Sequence, residues 1–145
     1  MKIYLDMCAL KRPFDDQTQG RILIETTAVI RILDAATTGV LTLCNSAALV
    51  AENQRNPNVQ RRERVNALLA AVGSPAPATP EVFARADDLA REGFRDMDAL
   101  HLTFAKHLKA DYFATVDDEL LARSVKTKIG LNVTDVIDLV QELHL

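Results

Sequence analysis

At 145 residues, with 48% apolar and 26% charged side chains, the chain is long enough for one domain with a real core and too apolar to be disordered. A net charge of -3 counts against a dedicated nucleic-acid coat, which is normally basic, while leaving room for a local basic patch. Cys8 and Cys44 show no CxxC spacing and no histidine at zinc-ligand intervals, so they read as buried free thiols of a reducing cytosol.

The N-terminus, MKIYLDMC, enters a strand directly, without a signal peptide. No stretch is long and apolar enough to span a membrane, and a cytoplasmic protein is expected. Lys2 to Leu5 reads as a strand ending at Asp6. A turn follows around Arg12-Pro13-Phe14, with a polar run from Asp15 to Gly20. From Arg21 to about Thr38 the apolar spacing is helical, and Gly39 stops it. Glu25 falls on the apolar face of that helix with Arg21 one turn before it. An Arg21–Glu25 pair covered by the turn around Arg12 is expected there, since an unpaired buried carboxylate is costly.

Val40 to Cys44 is the next strand, and Asn45-Ser46 caps a helix that carries Glu52 to about Arg55. Asn56-Pro57-Asn58 breaks it, and another helix runs from Val59 to about Val72. The Pro/Ala-rich segment Gly73 to Pro80 reads as a surface connection, with a degraded edge strand near Ala76 to Ala78. Glu81 to Glu92 is helical, and Gly93 ends it. Arg95 to Leu121 then reads as turn, helix, strand, turn, helix. Leu131-Asn132-Val133 is a brief strand, and Thr134 caps a last helix through Leu143.

Strands alternating with helices predict an open parallel sheet covered on both faces. Ligands of such sheets bind beyond the C-terminal strand ends, where the strand order reverses. Asp6 follows the first strand, and Asp117 follows the fourth when the degraded edge strand is counted. If these strands are neighbours, both carboxylates share one crevice. Asp98 lies a turn from Leu102 and Ala105, where it can face the same end, and Asp96 is assigned the helix cap. Asp118 is read as the cap of the following helix or a secondary metal contact, and Asp117 as the better ligand. Thr115 either holds a metal-bound water or alternates out of the strand. His101 shares a face with Met97, Phe104 and Leu108 and reads as core packing.

Like charges held close repel by about 4 kcal/mol per pair at 4 Å in an effective dielectric of 20. A site gathering several carboxylates therefore protonates some or binds a cation. All-oxygen ligation suits Mg²⁺ or Mn²⁺.

The pieces KIYLDMCALKRPFDD, SAALVAEN and DMDALHLTFAKHLKADYFATVDDELL resemble PIN-domain proteins, in particular the small bacterial ones similar to VapC toxins. The resemblance covers almost the whole chain. It implies an open parallel α/β sheet in a three-layer α/β/α fold, with Asp6, Glu52, Asp98 and Asp117 as the acidic quartet holding Mg²⁺ or Mn²⁺. It also implies ribonuclease activity, a cognate antitoxin that occupies the site, and a homodimer. Lys11, Arg12, Arg55, Arg61, Arg62 and Arg64 are the candidate RNA contacts, set against a solvated helix face. The competing readings are a PIN-like fold used only to bind nucleic acid and a receiver-like signalling module. Asp6 stands without the second acid that a receiver wants, and the scattered glycines give no dinucleotide fingerprint.

Overall fold

In the computed structural model, which describes residues 1–145, the apolar run Lys2–Leu5 forms strand β1 inside the sheet. Its neighbours are β2 (Thr42–Leu43) and β3 (Tyr112–Thr115), and β4 (Asn132–Asp135) completes the order β2-β1-β3-β4. All pairings are parallel. The chain leaves β1 for β2 on one side and returns through β3 on the other, so the strand order reverses between β1 and β3. Both central strands are buried on both faces beyond their first residue, which is why their sequences are nearly all apolar.

Eight helices surround the sheet: α1 (Met7–Lys11), α2 (Gly20–Thr37), α3 (Ala47–Gln54), α4 (Val59–Val72), α5 (Pro80–Arg91), α6 (Asp96–His107), α7 (Asp118–Lys126) and α8 (Val136–Glu142). Side chains alternate along a strand. Tyr4 and Phe113, paired in register, therefore share one face, where their rings stack with centroids 5.4 Å apart and Tyr4 meets α6. Leu5 faces the other way, toward Leu33 and Ala36 of α2. The apolar residues of the two faces form one cluster of 30 buried side chains. No helix is long and apolar enough to cross a membrane.

The expected elements stand, with local corrections. The turn after Asp6 is a short helix, α1, followed by a 3-10 turn at Arg12–Phe14. The strand expected at Val40 to Cys44 narrows to two residues, because α2 unwinds through Gly39 (φ 79°) and the amides of Val40 and Leu41 bond back to Ala35. The edge strand expected at Ala76 to Ala78 shrinks to a single bridge between Ser46 and Ala76. Pro75 and Pro77 flank that residue and have no N–H to extend the ladder. Asp135, not Thr134, caps α8: β4 runs two residues further, to Asp135, whose Oδ1 accepts from the Ile137 amide at 2.7 Å.

Candidate active site

Alternation puts Asp6 on the same face as Tyr4, just past the end of β1, where only 4% of it is exposed. Three donors fix it. The Met7 amide donates to Oδ1 at 2.8 Å, while the Thr115 hydroxyl (2.8 Å) and the Cys8 thiol (3.2 Å) donate to Oδ2. Thr115 is fully buried and points inward. It also accepts from the Asp117 amide at 3.1 Å, so one hydroxyl ties the ends of β1 and β3 together. Burial, then the charge of Asp6, pushes the Cys8 thiol well up, which keeps it protonated as a donor.

Asp117 itself caps α7. Its Oδ1 accepts from the amides of Glu119 (2.9 Å) and Leu120 (3.2 Å), leaving Oδ2 free. This corrects the assignment of the cap to Asp118. The backbone stays extended through Asp117 (φ −90°, ψ 108°), and the last extended residue before a helix is the one placed to cap it. Asp118, one step into α7, instead takes a bidentate ion pair from Arg21 at 2.7 and 2.8 Å, which lowers its pKa. Arg21 Nε also lies 3.3 Å from Glu25, which is fully buried and accepts from Arg12 at 3.2 Å. The expected Arg21–Glu25 pair is thus present under the Arg12 turn. It reaches across to α7 beside Asp117.

The third acid comes from α6. Arg95 occupies the cap position of this helix and makes no side-chain capping bond, so Asp96 is the first helical residue and not the cap. Asp98 is half-buried in the first turn. Burial, and then the charges of Asp6 and Asp117, push its pKa up to about 6, while His101 and Arg95 pull the other way. Asp6, Asp98 and Asp117 therefore lie within electrostatic reach of one another, although they come from three separate elements.

Glu52 approaches from α3, whose cap Ser46 accepts from the Leu49 amide. Its Oε2 lies 3.2 Å from His101 Nε2. His101 Nδ1 is 2.7 Å from the Tyr4 hydroxyl, which is 2.7 Å from Ser46 Oγ. A carboxylate only accepts, so the bond to Glu52 assigns the proton to Nε2. Nδ1 then accepts from Tyr4, and Tyr4 accepts from Ser46. Burial pushes the Glu52 pKa up, but the hydrogen bond from His101 and the charges of Lys11 and Arg55 outweigh it, and the net shift is downward. His101 is buried as expected, yet it is also the polar link between the sheet centre and Glu52. The spacing of three from Asp98, which puts both on one helix face, was the available signal.

Most of the expected RNA contacts are tied up. Arg12 pairs with Asp15 and Glu25, Arg61 with Asp15, and Arg62 donates to the Asn56 carbonyl. Arg64 lies over the Phe14 ring, 5.7 Å from its centroid. Lys11 and Arg55 stand near Glu52 without an ion pair.

No three acidic, histidine or cysteine side chains enclose a single point closely enough to form a complete metal cage. The donor set fits an ion that takes much of its coordination from water. The oxygens here are carboxylate, Asp98 has no hydrogen-bond donor of its own, and Asp117 Oδ2 is unused. A hard cation that keeps several waters and takes one or two carboxylates directly matches this arrangement.

The architecture is a PIN-like three-layer α/β/α fold with its acids at the C-terminal ends of the strands. The chain is similar in structure to the crystal structure of FitAcB from Neisseria gonorrhoeae, with a TM-score of 0.59 over 92% of this chain and 97% of that chain. Sequence identity is 19%, so the likeness carries the fold alone. No protein-family model and no curated protein matches the sequence.

Proposed function

We propose that the chain is a metal-dependent endoribonuclease whose Asp6, Asp98 and Asp117 hold Mg²⁺ or Mn²⁺ partly through water, with Glu52 beside them. The observation that carries this reading is Asp98, half-buried within electrostatic reach of Asp6 and Asp117 and with no donor of its own. When bound, a divalent ion supplies charge neutralisation at the phosphodiester and a lowered pKa for an attacking water. The chain's own residues divide the remaining work. Asp6 and Asp117 are locked by Thr115 and by the first turns of α1 and α7, so they are preorganised. Glu52, ionised and held through Oε2, offers Oε1 to take a proton from water. Lys11 and Arg55 keep it charged and attract a phosphate to that side.

The resemblance to VapC-like proteins extends the reading to a toxin restrained by a cognate antitoxin, and to a homodimer. Incubating the purified protein with single-stranded RNA tests the core of it. Cleavage is expected with Mg²⁺, is stopped by EDTA and is restored by Mn²⁺. Cleavage that persists after exhaustive chelation rules the metal mechanism out.

A further inference from the structure

Arg95, Arg123 and Lys126 line a cleft of about 430 Å³ between the start of α6 and α7, and Asp98 forms part of its wall. That volume lies within the roughly 300–1,000 Å³ of small-ligand sites. Arg123 lies flat against Gly93. A Cβ at Gly93 would sit 2.4 Å from its Nη1 and 3.0 Å from its Cζ. Gly93 has φ 106°, which side chains rarely adopt, so its backbone favours glycine, and the missing side chain leaves room for the Arg123 guanidinium.

The placement gives Arg123 no partner. The cleft's one ion pair joins Arg95 to Glu119, and neither Arg123 nor Lys126 has a carboxylate or carbonyl acceptor. Three cations against Asp98 and Glu119 leave the cleft positive in a chain of net charge -3. A guanidinium fork and an ammonium, both without an acceptor, together make phosphate-recognition chemistry.

We propose that this cleft binds a backbone phosphate of RNA adjacent to the phosphodiester held over Asp98. The proposal rests on the ribonuclease reading. RNA is favoured over an acidic peptide because Asp98 is common to the cleft and the acidic site, which sets two phosphate positions along one strand. Glu119 competes with the incoming phosphate for Arg95.

Inorganic phosphate titrated into the metal-free protein, followed by NMR, is expected to shift the Gly93 amide and the Arg123 Nε–H. R123Q/K126Q weakens that binding about tenfold, and E119Q strengthens it. With single-stranded RNA, R123Q/K126Q lowers the salt dependence of binding by about 0.7 in log–log slope, the equivalent of one phosphate contact. It slows cleavage while the Mg²⁺ requirement stays unchanged. Unmoved Gly93 and Arg123 signals, or displacement of phosphate by an acidic peptide and not by RNA, overturn the subsite. If the wild type cleaves RNA and R123Q/K126Q matches it in rate and slope, the subsite falls and the nuclease reading stands. If phosphate shifts both signals and RNA displaces it but no RNA is ever cut, the phosphate subsite stands and the nuclease reading falls.

Discussion

Asp98 and Glu52 face the same end of the sheet from two helices in contact, α6 and α3, and they are held in opposite ways. Burial pushes both toward protonation. Asp98 meets two further carboxylates and rises to about 6, whereas Glu52 meets His101, Lys11 and Arg55 and falls. Neighbours, not depth, decide the charge. One half of the site is therefore short of a cation, and the other half is already neutralised by the protein. This division explains how a fold can gather several acids without losing its stability. Three acids beside the cation-deficient triangle have partners within the chain: Glu52 has His101, Glu25 has Arg12 and Arg21, and Asp118 shares Arg21 with Glu25.

The largest expected effect comes from removing the charge that lacks a partner. Metal-assisted stabilisation is worth several kcal/mol, so D98N is expected to slow Mg²⁺-dependent cleavage by on the order of 10²–10³-fold. Its circular dichroism should remain that of the wild type. Cleavage at the wild-type rate would remove Asp98 from the site and erase the contrast with Glu52. A smaller effect belongs to the neutralised half. H101F leaves the buried Tyr4 hydroxyl without its acceptor and Glu52 without its donor, at a cost of about 1–3 kcal/mol in urea unfolding. Adding Y4F should recover part of this loss, because removing both partners of a buried bond costs less than removing one. Additive losses in the two variants would show that His101 is packing alone.

The sequence made the centre of this site legible and left its rims obscure. Strand alternation and the order of elements were enough to bring Asp6 and Asp117 together, because they depend on short-range patterns that survive folding. The division of labour between Asp117 and Asp118 was not readable. It turns on whether the backbone stays extended for one residue past Val116, and element ends shift easily by a residue or two. The basic residues are a different case. Arg12, Arg61 and Arg62 are dense in sequence but are paired within the molecule, whereas Arg123 and Lys126 look like ordinary helix charges and remain free. Cation density does not reveal which cations are already spoken for, since the partners lie far away in the chain. In the sequence Gly93 signals only a helix stop, and its closeness to Arg123 depends on the fold.

The smallest effect gives the most direct test of the contrast, because it reads charge without activity. Asp98 has an ordinary pKa of 3.8 and a folded one of about 6. Below the lower value the carboxyl is protonated whether folded or not, and its neighbours exact no penalty. As pH rises through 6 the folded protein must ionise it beside Asp6 and Asp117, and stability is lost. In metal-free buffer D98N should therefore be more stable than the wild type above pH 6, by on the order of 1–2 kcal/mol after allowance for solvent screening. The gain should vanish below pH 3.8, as urea unfolding at two pH values would show. E52Q should go the other way, since its charge is stabilised in the fold. Mg²⁺ at pH 7.5 should raise the Tm of the wild type and leave that of D98N nearly unchanged. If metal-free D98N has no advantage at pH 7.5, the three acids do not repel one another. Asp98 would then be as well accommodated as Glu52, and the electrostatic reason for a cation would be gone.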